Sequence, residues 1–216
     1  MKGKNTQQLE YWKGNAGKQY TDRNPQSIDE ENEAYQKQYG ISRTEMNEQF
    51  LAGIDRTARI LEVGANIGLQ LEILRQSGFS NLLGIEPGAY AVRQSRRIHP
   101  EVGILEGSGF DLPFKDGHFD LVYTSGVLIH VAPDDLPDML REIYRVSRLY
   151  IWGFEYYAPQ PTQIVSEHYQ GNLLWKRDFA ARYRELFPDL RLIKEQKYAV
   201  RGSPNIDQMF LLAKST

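Results

Sequence analysis

The run Ile60-Leu61-Glu62-Val63-Gly64-Ala65-Asn66-Ile67-Gly68 constrains this chain more than any other stretch. Ile60, Leu61 and Val63 suit a strand buried on both faces. Two glycines follow at once, and Leu69 to Leu74 opens an amphipathic segment. Strand, glycine turn and helix N-terminus, in that order, form the junction where doubly wound α/β folds hold a nucleotide-like ligand, beyond the carboxyl ends of the strands. Glycine lets the backbone approach a ligand and take positive φ. The helix start behind it favours a carboxylate or phosphate.

From Arg59 onward, strand-like and helix-like segments alternate. The pattern predicts strands at 59–63, 82–86, 102–106, 119–124, 148–154, 190–198 and 207–214. It predicts helices at 67–77, 89–97, 134–146 and 177–187. That alternation calls for a mostly parallel sheet covered on both faces. The last two strands lack a helix between them and are joined by the turn cluster Arg201-Gly202-Ser203-Pro204-Asn205. The final strand is therefore expected to run antiparallel to its neighbours. Residues 1–56 read as a helical cap or lid. Ser27 to Tyr39 starts with acids, and Ser42 to Ile54 opens on a polar pattern ahead of Phe50, Leu51 and Ile54. No linker divides the chain, so 57–216 reads as one binding domain.

Composition narrows the function classes. A net charge of −2 argues against a strongly cationic surface, so no nucleic-acid partner is expected. Without cysteine there is no disulfide, thiolate nucleophile or cysteine metal site. No His, Asp and Glu spacing resembles a metal site, and no metal is expected. No apolar run reaches membrane-spanning length, and Met1 to Glu10 lacks the apolar core of a signal peptide. A cytoplasmic protein with no membrane partner is expected, and oligomeric state is not legible.

A second acid selects among nucleotide-like ligands. Leu82-Leu83-Gly84-Ile85-Glu86 ends in a carboxylate 24 residues after Glu62, the spacing at which an acid accepts ribose hydroxyls. A pyrophosphate site wants G-x-G-x-x-G, whereas here Asn66 replaces the middle glycine and the third is missing. Glu62 beside the turn repels a pyrophosphate and suits a ligand bearing an amino group and a sulfonium. S-adenosyl-L-methionine is favoured over NAD.

These residues resemble the class I, Rossmann-like, S-adenosylmethionine-dependent methyltransferases. Glu62-x-Gly64-x-Asn66-x-Gly68 is similar to their first motif, and Glu86 to the acid ending their second strand. Gly107-Ser108-Gly109-Phe110-Asp111-Leu112-Pro113-Phe114 resembles their adenine-side motif, with Ser108 where an acid usually stands. Phe119 to Val131 resembles their fourth strand and the loop after it. The Lys/Arg-Pro-Gly-Gly turn usual before the fifth strand is missing. The resemblance covers residues 58–155 and implies a three-layer sandwich with a seven-stranded, mostly parallel sheet. Further stretches, Tyr11 to Asn24, Gly64 to Gly68, Glu155 to Pro161 and Trp175 to Ala180, resemble the methylases associated with pseudaminic acid biosynthesis.

The resemblance implies roles. Glu62, Gly64, Ala65, Asn66 and Gly68 form the cofactor turn. Glu86 takes the ribose, and Pro87, Ser108, Gly109 and Phe110 flank the adenine. Ser125 approaches the methionine end. Methyl transfer is an in-line displacement, in which the protein positions the acceptor and removes its proton. His130 is the candidate base, with a loop-orienting histidine as the alternative; Glu155 is a second candidate. Tyr20, Arg23, Tyr156, Tyr157 and His168 are candidate acceptor-side residues. His99 and His118 are expected to be exposed. The expected activity is methyl transfer to oxygen or nitrogen of a small polar acceptor, sugar-like or nonulosonic. An RNA or protein methyltransferase, or a non-catalytic cofactor-binding subunit, are the alternatives.

Overall fold

A computed structural model describes residues 4–166 and 169–215. The chain forms two compact units, Met1–Pro113 and Phe114–Thr216. Seven strands make a mostly parallel sheet, as the alternation of elements required.

The first unit opens with four helices: α1 (Gln7–Lys13), α2 (Asn15–Arg23), α3 (Ile28–Tyr39) and α4 (Arg43–Leu51). Their starts are written in the sequence. Ser27 and Ser42 accept from the amides of Glu30 and Glu45, whose carboxylates reach back to the cap amides. The α1–α2 break at Gly14 was not read from the sequence, because both helices are largely polar. It depends on Gly17, where a Cβ would stand 1.9 Å from the Trp12 carbonyl oxygen. Then follow β1 (Arg59–Val63), α5 (Leu69–Gln76), β2 (Asn81–Glu86), α6 (Ala89–Ile98) and β3 (Gly103–Glu106). The strands lie in the order β3-β2-β1, all parallel. Ile60, Leu61, Leu71, Ile73, Leu74 and Ile85 fill the core between them. Gly84 keeps that core tight, since a Cβ there would meet the Ala65 methyl at 2.7 Å.

His99, expected on the surface, is buried. It follows α6, and its ring turns inward toward Glu72 and the Gln26 backbone, where burial lowers its pKa. His118 is exposed.

The second unit contains β4 (Phe119–Ser125), a single 3-10 turn (Leu128–His130), α7 (Leu136–Val146), β5 (Ser147–Tyr157), β6 (Thr162–Ser166), β7 (Tyr169–Lys176), α8 (Phe179–Leu186), β8 (Leu190–Ala199) and β9 (Ile206–Lys214). The order is β4-β5-β9-β8. β4 and β5 are parallel, whereas β9 runs antiparallel to both β5 and β8. The final strand thus lies inside the sheet. Its fit against β5 requires Gly153, where a Cβ would overlap the Phe210 ring at 2.3 Å. Tyr123 and Trp152 pack ring to ring at 4.8 Å on the neighbouring strands. The β6–β7 hairpin is a separate two-stranded sheet that the sequence did not announce. Among the described residues, no helix is long and apolar enough to cross a membrane.

Candidate functional site

The first unit gathers most of the expected cofactor residues around one carboxylate. β1 delivers Glu62, which is buried, to the strand end. The chain then turns at Gly64 (φ 79°), and the amides of Gly64 and Ala65 donate to the Ile85 carbonyl at 2.8 and 3.1 Å. Asn66 follows with φ 47°, and Gly68, at φ 82°, caps the N-terminus of α5. Glu86, the last residue of β2, fastens this turn. Its Oε2 accepts from the Asn66 amide at 2.9 Å and its Oε1 from the Gly88 amide at 2.7 Å. Its own carbonyl accepts from Gly107 at 3.0 Å, which ties in the loop after β3.

Burial pushes the Glu86 carboxyl up to about 7, against the opposing pull of the two amides. A carboxylate offers about four acceptor positions. Two are filled here, and Glu86 is only half-buried, so positions remain for a pair of hydroxyl donors. Ala65 is buried behind the turn, and Pro87 is half-buried beside Glu86. After β3, Ser108 accepts from the Phe110 amide at 3.2 Å through its hydroxyl and from Asp111 at 3.2 Å through its carbonyl. The Ser108 hydroxyl keeps its proton to donate. Gly109 is buried, and Lys4 lies 5.8 Å over the Phe110 ring.

The N-terminal helices meet the same turn. Thr21, 3% exposed, places its hydroxyl 2.8 Å from Asn66 Oδ1. Tyr90 donates to Asp22 at 2.6 Å. Tyr20 packs edge-on against Trp12 at 5.1 Å, and the Arg23 guanidinium stands 5.4 Å over the Tyr20 ring. Sequence reasoning passed over Thr21. A threonine four residues after a glycine in a polar helix carries no pattern that marks it.

The second unit has its own strand-end acid. Glu155 is 1% exposed. Its Oε1 accepts from the Val127 amide at 3.2 Å and its Oε2 from the Leu128 amide at 3.1 Å. The Ile129 amide and the Thr124 hydroxyl also bond it. Burial nevertheless raises its pKa to about 7. Ser125 ends β4, and the Gly126 amide closes on the Phe154 carbonyl at 2.8 Å. His130 ends the 3-10 turn that Glu155 holds. Burial pushes the imidazole down to about 3, so it is neutral across the ordinary pH range. Tyr156 and Tyr157 occupy the last two positions of β5. Lys176 lies 5.7 Å over the Tyr156 ring and donates to Asn205 Oδ1 at 2.5 Å. Lys197 lies 4.1 Å over the Tyr157 ring. His168 falls outside the described residues.

Thus Glu62, Gly64, Ala65, Asn66, Gly68, Glu86, Pro87, Ser108, Gly109 and Phe110 belong to the first unit, with Tyr20 and Arg23. Ser125, His130, Glu155, Tyr156 and Tyr157 belong to the second. The strand-end acid with two acceptor positions open, the glycine turn and the buried Glu62 fit a ligand that carries ribose hydroxyls and a positive charge.

Comparison with known proteins agrees. A family model described as "Methyltransferase domain" matches residues 61–149. An uncharacterized methyltransferase of Synechocystis sp. is 30% identical over 90 residues, 42% of each chain. A cycloartenol-C-24-methyltransferase of Oryza sativa is 25% identical over 141 residues, 58% of this chain and 37% of that one. The chain therefore matches less than half the length of these curated relatives. The crystal structure of magnesium protoporphyrin IX methyltransferase from Synechocystis, with bound S-adenosylhomocysteine, shares the fold. Its TM-score is 0.70 at 12% identity, over 96% of this chain and 98% of that one. Residues 61–149 of this chain are thus similar to a methyltransferase domain, and the fold is one found in a methyltransferase crystallised with S-adenosylhomocysteine.

Proposed function

We propose that the chain moves a methyl group from S-adenosylmethionine to an oxygen or nitrogen of a small polar acceptor, a nonulosonic or other sugar-like metabolite. The observation that carries the cofactor half is Glu86, fixed by the Asn66 and Gly88 amides with acceptor positions to spare. The pseudaminic-acid methylase resemblance supports the acceptor class. So does Lys197, exposed over the Tyr157 ring at the end of β5, a pairing suited to hydroxyls and a carboxylate.

Bound cofactor supplies an activated methyl on a sulfonium. The chain's residues do the rest. Glu86 accepts the ribose hydroxyls. Gly64, Ala65 and Asn66 line the methionine portion, and Ser108 donates its hydroxyl proton on the adenine side. His130, at the end of the 3-10 turn, takes the acceptor's proton at an imidazole nitrogen as the new bond forms, although burial makes it a weaker base than a free imidazole. Glu155 is a positioning residue, because its oxygens are committed to the amides of the loop that carries His130.

Two measurements test this reading. Calorimetry with S-adenosylhomocysteine is expected to show saturable binding; no heat at millimolar ligand overturns the cofactor assignment. Incubation with methyl-labelled cofactor and a panel of sugar nucleotides and nonulosonic acids is expected to label a hydroxyl, carboxylate or amine. Label found only on carbon, on RNA or on protein overturns the acceptor class.

A further inference from the structure

Asn66 departs from the methyltransferase pattern in its side chain. Asn66 stands where the resemblance puts a glycine, and its φ of 47° is a left-handed conformation that glycine adopts freely and asparagine adopts at some cost. The side chain that glycine lacks is engaged. Asn66 Oδ1 lies 2.8 Å from the hydroxyl of Thr21, on a helix 45 positions earlier in the chain. That hydroxyl is buried, and its one proton is shared between Asn66 Oδ1 and the Gly17 carbonyl, 3.0 Å away within α2. The backbone of the same Asn66 donates to Glu86. One residue therefore joins an N-terminal helix on one side and the strand-end acid on the other. The seam continues along α6. Asp22 accepts from Tyr90 at 2.6 Å, and a Cβ on Gly88 would stand 3.5 Å from the Trp12 carbonyl.

We propose that Asn66 and Thr21 are positioning residues: their bond docks α2 onto the cofactor turn and aims the Asn66 amide at Glu86, so the N-terminal helices set part of the cofactor affinity. The proposal rests on the cofactor assignment made above. It gives the asparagine a purpose that a glycine in its place would not serve, and it makes the N-terminal helices a working part of the first unit.

The test uses the full chain with Asn66→Gly, Thr21→Val, the double variant and Thr21→Ser, each titrated with S-adenosylhomocysteine. Hydrogen exchange of the amides of residues 15–23 is followed without ligand. Each of the first two variants is expected to weaken binding by roughly 3- to 10-fold, the worth of one hydrogen bond. The double variant should be no weaker than the worse single variant, because both break the same bond. Thr21→Ser keeps the hydroxyl and should bind as the parent does. Exchange in α2 should quicken in Asn66→Gly. An asparagine that is merely tolerated predicts the reverse sign, since glycine relieves the positive φ. Unchanged or tighter binding in Asn66→Gly, or full additivity in the double variant, overturns the proposal. If the parent chain gives no heat, the cofactor assignment fails instead, and the exchange rates alone decide whether Asn66 docks α2.

Discussion

Glu86 and Glu155 are the same residue at equivalent places in two parts of the molecule, and they end up doing different work. Each sits at or near the carboxyl end of a parallel strand, and burial raises each carboxyl to about 7. Each accepts amides from the loops beside it. Glu155 spends both oxygens on three amides and a threonine hydroxyl and is sealed from solvent. Glu86 accepts two amides and keeps an open edge. A buried acid with a shifted pKa marks a functional candidate. The number of acceptor positions left over separates an acid able to meet a ligand, as proposed for Glu86, from one that shapes a loop.

The largest expected effect breaks the pair apart on stability. Glu155→Ala should cost about 3 kcal/mol in urea denaturation, since several buried donors lose their acceptor at once. A loss under about 1 kcal/mol would mean the loop holds itself. His130→Ala sharpens the same point from the loop's far end. It should lower turnover by about 100-fold, a typical share for a general base, while binding of S-adenosylhomocysteine stays within about twofold of the parent's. Turnover within about threefold of the parent's would leave His130 as a loop-orienting residue. Glu86→Ala should show the opposite profile from Glu155→Ala. Cofactor affinity should fall by roughly 30-fold, as charge-assisted bonds to two hydroxyls are lost. Stability should change by less than about 1 kcal/mol, because water reaches the freed amides. Unchanged affinity would remove Glu86 from the site.

A contrast of sign lies in the pH dependence of stability. Both acids have folded-state pKa values raised above the ordinary carboxylate range, so the folded chain holds protons that the unfolded chain releases. The stability this brings is present below about pH 4.5 and is lost as pH rises through 7, at up to about 1.4 kcal/mol per pH unit for each acid. His130, pushed down to about 3, acts in the other direction and loses stability as pH falls from about 6.5. The comparison with Glu86→Gln isolates one acid. Between pH 5 and 7 the parent should lose stability relative to that variant as pH rises, and a difference that does not change with pH would mean Glu86 titrates at its ordinary value.

Much of this was legible because local chemistry and fold agree. The apolar run, the glycine turn and the acid at the end of the next strand specify β1, the turn and β2 from adjacent residues alone. The turn at Arg201 to Asn205, with no helix before it, was enough to reverse the final strand. What escaped depends on partners far apart in sequence. α1 and α2 lack a strong apolar face and are held through contacts such as Thr21 with Asn66 and Asp22 with Tyr90. The β6–β7 hairpin has no asparagine-glycine or similar turn to announce it. The role of Glu155 was hidden for the same reason: its donors lie 26 to 31 positions earlier, and sequence shows an acid at a strand end without showing what already occupies it.

The place of β9 bears on how the chain is made. β5 leaves the ribosome with its pairing edge complete but its neighbour not yet synthesised, and β8 emerges in the same condition. Until Ile206–Lys214 is available, two strand edges in the second unit stay open to pairing with another nascent chain, the usual route into misassembly. Synthesis that stalls after β8 should therefore yield aggregates, whereas β1, β2 and β3 pair with one another in order of appearance.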